Sequence, residues 1–191
     1  MPVRRTCRGA ANNGGVTIHA TDPFATPDDE RSPVRRLRGR LPAAVTIWTA
    51  YGRDDRPAGL TVASTVVAEG EPGKVLGVLD AESELYEAVH ASGRFTVQLL
   101  RDGDDQLGDR FAGLLPAPGG LFADGAWDRT EFGPVRRSLT TWAGCVLTDA
   151  RPFGWGLFVE ATLVRVVLGE DAVAPLIRYR GRYLRADAAN G

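Results

Sequence analysis

Short apolar runs, each bounded by glycine, proline or aspartate, recur along most of this chain. Residues 43–51, 58–68, 74–79, 94–100, 139–148, 156–168 and 173–179 read as strands, on their β-branched and aromatic content and the turn residues between them. Helical periodicity is confined to short stretches. Residues 82–92 place Leu85, Ala88 and Val89 at helical spacing, with Gly93 as the stop. Residues 104–114 form a second helix, with Leu107 and Phe111 inward. A third begins after Ser32, an N-cap followed by Pro33 at the first helical position, and ends before Pro42. Alternating βαβ units are absent, as are the glycine-rich dinucleotide and P-loop patterns. Seven or so antiparallel strands with a few short helices predict a mainly β fold, closed or partly closed into a barrel.

One of these strands is unlike the rest. Residues 58–65 read Ala-Gly-Leu-Thr-Val-Ala-Ser-Thr, where a core strand would carry valine, isoleucine or phenylalanine. Undersized side chains leave room beside the barrel wall, and three hydroxyls offer short donors to whatever occupies it.

The composition limits the alternatives. The formal net charge of −1 lacks the basic surplus of a nucleic-acid binder. Arg31, Arg35, Arg36, Arg38 and Arg40 cluster locally, as on a solvated helix face. Cys7 and Cys145 form no CxxC or Cys/His group, so no disulfide framework or zinc site is expected, and the pattern suits the reducing cytoplasm. No run approaches the ~20 apolar residues of a membrane span, and no apolar segment follows Arg4-Arg5 to make a secretory leader. Residues 1–27 are too polar and too rich in glycine and proline to order themselves, which leaves 28–191 as one domain. His19 lies in that tail and His90 on a helix, a poor basis for a Ser-His-Asp hydrolase.

Four motifs occur in order. Residues 59–64 are Gly-Leu-Thr-Val-Ala-Ser, and residues 92–100 are Ser-Gly-Arg-Phe-Thr-Val-Gln-Leu-Leu. Arg110-Phe111-Ala112 follows, and Pro175-Leu176 with Gly181 and Tyr183 closes the chain. Together these resemble the flavin reductase-like family, FMN-binding split barrels that serve two-component monooxygenases. The family's corresponding patterns are Gly-Met-Thr-Val-Ser-Ser, Gly-x-Phe-x-Val-Asn-x-Leu and Pro-Leu-x-x-x-x-Gly-x-Tyr. The resemblance implies an antiparallel split β-barrel and a homodimer. It also implies hydride transfer from NAD(P)H to FMN, with FAD as the second candidate, and release of reduced flavin to a partner monooxygenase. Its cofactor-binding positions fall on Thr61, Val62, Ala63, Ser64 and Thr65, on Asp80 and Ser83 where a helix begins, and on the aromatics Phe95, Phe111 and Trp155. Ser83 is the match to a serine that contacts the FMN phosphate, and helix capping by Asp80 or Ser83 is the competing reading. No residue is assigned a catalytic role and no metal is expected.

Two departures stand out. Ala63 replaces a serine. The family's Gly-Asp-His turn, whose histidine is associated with nicotinamide access, is here Gly154-Trp155-Gly156. The aromatics Phe153 and Trp155 then stack on a ring, pack at a dimer interface, or plug the barrel end. The missing histidine keeps open a flavin carrier without reductase activity, and the same barrel could hold a deazaflavin or no cofactor at all.

Overall fold

The computed structural model describes residues 32–169 and 174–185. The tail expected at 1–27, with Cys7 and His19, and Arg31 of the arginine cluster lie outside the described residues. In chain order the elements are α1 (Pro33–Gly39), β1 (Ala43–Ala44), β2 (Thr46–Tyr51), β3 (Pro57–Val62), β4 (Val66–Ala68), β5 (Lys74–Leu79), α2 (Glu84–Ser92) and β6 (Arg94–Leu99). Then come α3 (Asp105–Phe111), β7 (Trp127–Arg129), β8 (Pro134–Arg136), β9 (Trp142–Phe153), β10 (Gly156–Val167), β11 (Leu176–Tyr179) and β12 (Arg182–Arg185). The fold is mainly antiparallel β, as expected, and no helix of the described residues is long and apolar enough to cross a membrane.

Seven strands form one sheet in the order β3-β2-β6-β9-β10-β5-β4. Its two edge strands, β3 and β4, are consecutive in the chain and joined only by residues 63–65. So short a connection spans at most ~3.5 Å per residue, so the edges must meet and the sheet must roll up. No ladder joins β3 to β5, and Ser64 bridges the gap instead. Its hydroxyl donates to the Val78 carbonyl (3.1 Å) and accepts the Val78 N–H (2.8 Å). The barrel is split here and stitched by a side chain. The single strand expected over 58–68 is therefore two strands on opposite edges.

Residues 43–51, also expected as one strand, divide at Val45. β1 joins the small sheet β1-β11-β12, while β2 enters the barrel. Val45 locks the crossing by donating to Leu176 and accepting from Leu100. The sequence reading missed the short β7–β8 hairpin and the closing strand β12.

Two apolar cores result. Inside the barrel, Trp48, Val62, Val75, Leu79, Phe95, Cys145, Val159 and Ala161 pack with Leu85, Ala88 and Val89 of α2. Trp48 stacks on Phe95 with ring centroids 4.8 Å apart, and lies over Gly77, where an added methyl group would sit 2.7 Å from the indole. Burial pushes the Cys145 thiol up to about 12, so it packs as an apolar group. Outside the wall, α3, β11 and the loop before β7 cover Val45, Ile47, Leu100, Leu107, Phe111, Leu139 and Leu176. Strand β2 is buried on both faces because it separates these cores. α1 is capped by Ser32, which accepts the Arg35 N–H at 3.2 Å, and none of its residues is buried.

Candidate functional site

Three segments converge at the seam. The first is the break at 63–65. The second is the β5–α2 connection, held next to it because Ser64 binds Val78 two residues before Asp80. The third is the β9–β10 hairpin, because Leu157 pairs with Leu79. Ala63, Ser64, Thr65, Asp80, Ser83 and Trp155 thus come from distant parts of the sequence to one end of the barrel.

The hydroxyls expected to face a ligand face the protein. Thr61 donates to the Gly108 carbonyl of α3 (2.5 Å). Ser64 is engaged by Val78 as above. Thr65 shares a 2.8 Å hydrogen bond with Thr46, and both accept the Trp48 indole N–H at 3.1 Å. Thr46 also donates to the Val62 carbonyl at 2.7 Å, which leaves Thr65 as the donor of the shared bond. Every hydroxyl proton of this cluster therefore has an acceptor inside the chain. The backbone differs. Ala63, Ser64 and Thr65 lie outside both strands, are half-buried, and their N–H groups have no acceptor among the described residues. Three adjacent N–H donors are costly to leave unmatched by water or a ligand.

Three other expected positions have side chains turned into the packed cores. Val62 points into the barrel core, so its side chain cannot line an external site. Phe95 is fully buried against Trp48. Phe111 is buried outside the wall, in edge and tilted contact with Phe122 and Trp127, and its ring occupies the space above Gly59 that small side chains seemed to reserve for a ligand. At Gly59 and Thr61 the missing volume is filled by α3.

At the start of α2, Ser83 is the N-cap. It accepts the Tyr86 N–H at 3.2 Å and donates to the Asp80 carbonyl at 2.7 Å. The Asp80 carboxylate accepts the Glu82 N–H at 3.0 Å. Glu84 and Glu87 stand in the first turn and already complement the helix dipole. The capping reading accounts for both residues, and the local charge opposes a phosphate.

Trp155 sits at the tip of a two-residue hairpin loop and is fully exposed, so it does not plug the barrel. Gly154 supplies φ +62° at the first loop position, which a side chain would strain. Gly156 is tighter still: a methyl group there would fall 2.6 Å from the Leu79 carbonyl oxygen. A histidine cannot be restored at 156 without moving β5 away from β10.

The sequence reading missed Thr46 and Trp48, which anchor the break from inside. A strand tryptophan whose N–H must find an acceptor was the available signal. It also missed Asp109 and Tyr183, whose partners are remote in sequence.

The chain matches known proteins along most of its length. Residues 38–187 match the family model described as flavin reductase like domain. The FMN reductase (NADH) RutF of Variovorax paradoxus is 30% identical over 174 residues, 90% of this chain and 94% of that protein. A flavin-dependent monooxygenase reductase subunit of Mycobacterium tuberculosis is 29% identical over 152 residues, covering 78% of this chain and 79% of its own length. Nitrilotriacetate monooxygenase component B of Mycobacterium thermoresistibile superposes with a TM-score of 0.74 at 26% identity, over 83% of this chain and 87% of that one. The rolled sheet, the seam and these matches agree, and the chain belongs to the flavin reductase like domain family.

Proposed function

We propose that this protein is a flavin reductase that passes a hydride from NAD(P)H to FMN or FAD and releases the reduced flavin to a partner monooxygenase. The observation that carries the site assignment is the run of free N–H groups at Ala63, Ser64 and Thr65. A flavin ring edge carries two carbonyl and two imine acceptors around a single N3–H donor, and three consecutive backbone donors suit those acceptors without help from ionisable side chains. The flavin itself supplies the redox chemistry, accepting hydride at its ring nitrogen N5. The chain has to hold the ring and keep its donors aimed. The hydrogen bonds of Ser64 and Thr65 to Val78, Thr46 and Trp48 do this by fixing the break from both sides.

The family membership and the reductase names of the relatives support the activity, and the monooxygenase components among them support the partner. A cytoplasmic homodimer with NAD(P)H as the diffusing reductant completes the reading. The acids around α2 favour a flavin held by its ring rather than by its phosphate.

The test is steady-state oxidation of NADH by pure protein with FMN or FAD added. Turnover should depend on flavin. Ala63→Trp, which places a bulky side chain at the break, should raise the flavin KM by about tenfold or more. Background NADH oxidation in the wild type would remove the reductase reading. An unchanged KM in Ala63→Trp would move the flavin elsewhere.

A further inference from the structure

The closing motif has no role yet in the proposed site, and its tyrosine reaches back toward it. Tyr183 on β12 donates its hydroxyl to Asp109 Oδ1 at 2.7 Å, and Arg178 Nη1 donates to the same hydroxyl at 3.3 Å. The hydroxyl also lies over Gly108, where an added methyl group would fall 2.9 Å from it. Gly108 is the residue whose carbonyl accepts the Thr61 hydroxyl at 2.5 Å. The chain of contacts therefore runs from the C-terminal hairpin, through two consecutive residues of α3, to the strand that ends in the free N–H groups. Burial and the Asp109 carboxylate both push the Tyr183 hydroxyl above its ordinary pKa, so it stays protonated as the donor.

α3 needs such a tether. It has seven residues, too few to be stable by itself. Its N-cap residue Asp104 makes no side-chain bond to the helix and instead accepts the Arg101 N–H at 2.9 Å. Leu107 and Phe111 hold one face by apolar contact, which resists separation more than sliding. From other elements, the side chains of Tyr183 and Thr61 each make a hydrogen bond to α3.

We propose that Tyr183 is a positioning residue for flavin binding: by holding Asp109 it sets the place of Gly108, and through Thr61 it aligns the N–H groups of residues 63–65. This rests on the flavin lying at 63–65.

The experiment is NADH oxidation with FMN varied, on the full chain, alongside thermal unfolding. Tyr183→Phe keeps the ring and removes the hydroxyl. It should raise the KM for FMN about fivefold and leave kcat within about twofold, because only ring placement is disturbed. Asp109→Asn retains an acceptor oxygen and should stay within about twofold of wild type, while Asp109→Ser should behave as Tyr183→Phe does and reads the same link if the tyrosine variant does not fold. Thr61→Val should raise the KM similarly, and Tyr183→Phe should add little on that background, since residues in series do not add. A lowered melting temperature with unchanged KM in both Tyr183→Phe and Asp109→Ser would overturn the link, as would effects of Tyr183→Phe and Thr61→Val that multiply. If Ala63→Trp also leaves the KM unchanged, the flavin placement has failed and the link with it. If Ala63→Trp raises the KM while Tyr183→Phe and Asp109→Ser do not, only the link has failed.

Discussion

Two hydroxyl-rich patches lie on the wall of this barrel, and they do different things. One is the seam at Thr46, Ser64 and Thr65. The other is Thr49, Thr96 and Gln98, fully buried beneath the β7–β8 hairpin. In the second patch Thr49 donates to the Pro134 carbonyl at 2.5 Å and lies 2.6 Å from the Thr96 hydroxyl. Gln98 donates to Thr49, Thr96 and the Pro134 carbonyl, and its own carbonyl accepts the Arg136 N–H at 2.8 Å. The polar atoms there are matched on both sides and nothing remains for a ligand. At the seam the side chains are matched as well, but the backbone beside them is not. Hydroxyls on a strand therefore do not mark a binding site. What marks it is the donors left over after the protein has satisfied itself.

The sharpest way to break this comparison is to cut the closed network. Gln98→Leu leaves the Pro134 carbonyl, the Arg136 N–H and both threonine hydroxyls short of a partner in a dry interior. Unfolding in urea should show a loss of about 3 kcal/mol, within the range for a buried network. The flavin KM should not change. A shift in KM with little loss of stability would mean that the hairpin patch, rather than the seam, faces the ligand.

Cutting the seam should do less to stability and more to binding. Ser64→Ala removes the side chain that stands in for a ladder between β3 and β5. The Val78 N–H and carbonyl lose their partner at a half-buried position that water can reach, so the cost should be about 1–2 kcal/mol. The flavin KM should rise in the same variant, because the break carrying the three N–H groups is released on one side. A stability loss as large as that of Gln98→Leu, with KM unchanged, would make the seam a second structural clamp and erase the contrast.

Which of these features could be read from the sequence follows from how local they are. The strands at 74–79 and 94–99 and the helix at 84–92 rest on periodicity within a few residues, and the N-cap at Ser32 and the stop at Gly93 are single-residue signals. The break at 63–65 was invisible because nothing local requires the chain to leave one sheet edge and join the other. The occupancy of the space over Gly59 was equally hidden: the ring that fills it, Phe111, lies 52 positions onward, and an empty groove and a filled one look the same from one strand. The role of Gln98 is not legible locally because its partners Thr49 and Pro134 lie 49 and 36 residues away. The four ordered motifs carried the family. They did not carry the roles of individual residues, since Val62, Phe95 and Phe111 belong to the packed cores.

The smallest effect is expected at the hairpin tip, and it separates two readings that the fold leaves standing. Trp155 touches no core, so Trp155→Ala should change stability by less than about 0.5 kcal/mol. A fully exposed tryptophan beside the seam has two uses, as a face for a planar ring or as an anchor for a second copy of the chain. If it stacks on a ring, the variant should keep its mass in sedimentation and raise the KM for flavin or NADH. If it anchors a dimer, the mass should halve at micromolar protein, and activity should become dependent on protein concentration. The first outcome would extend the contrast between the two patches, adding an aromatic face to the free donors. The second would place the open side of the barrel, seam included, next to a partner subunit, while the Gln98 patch stays sealed within one chain.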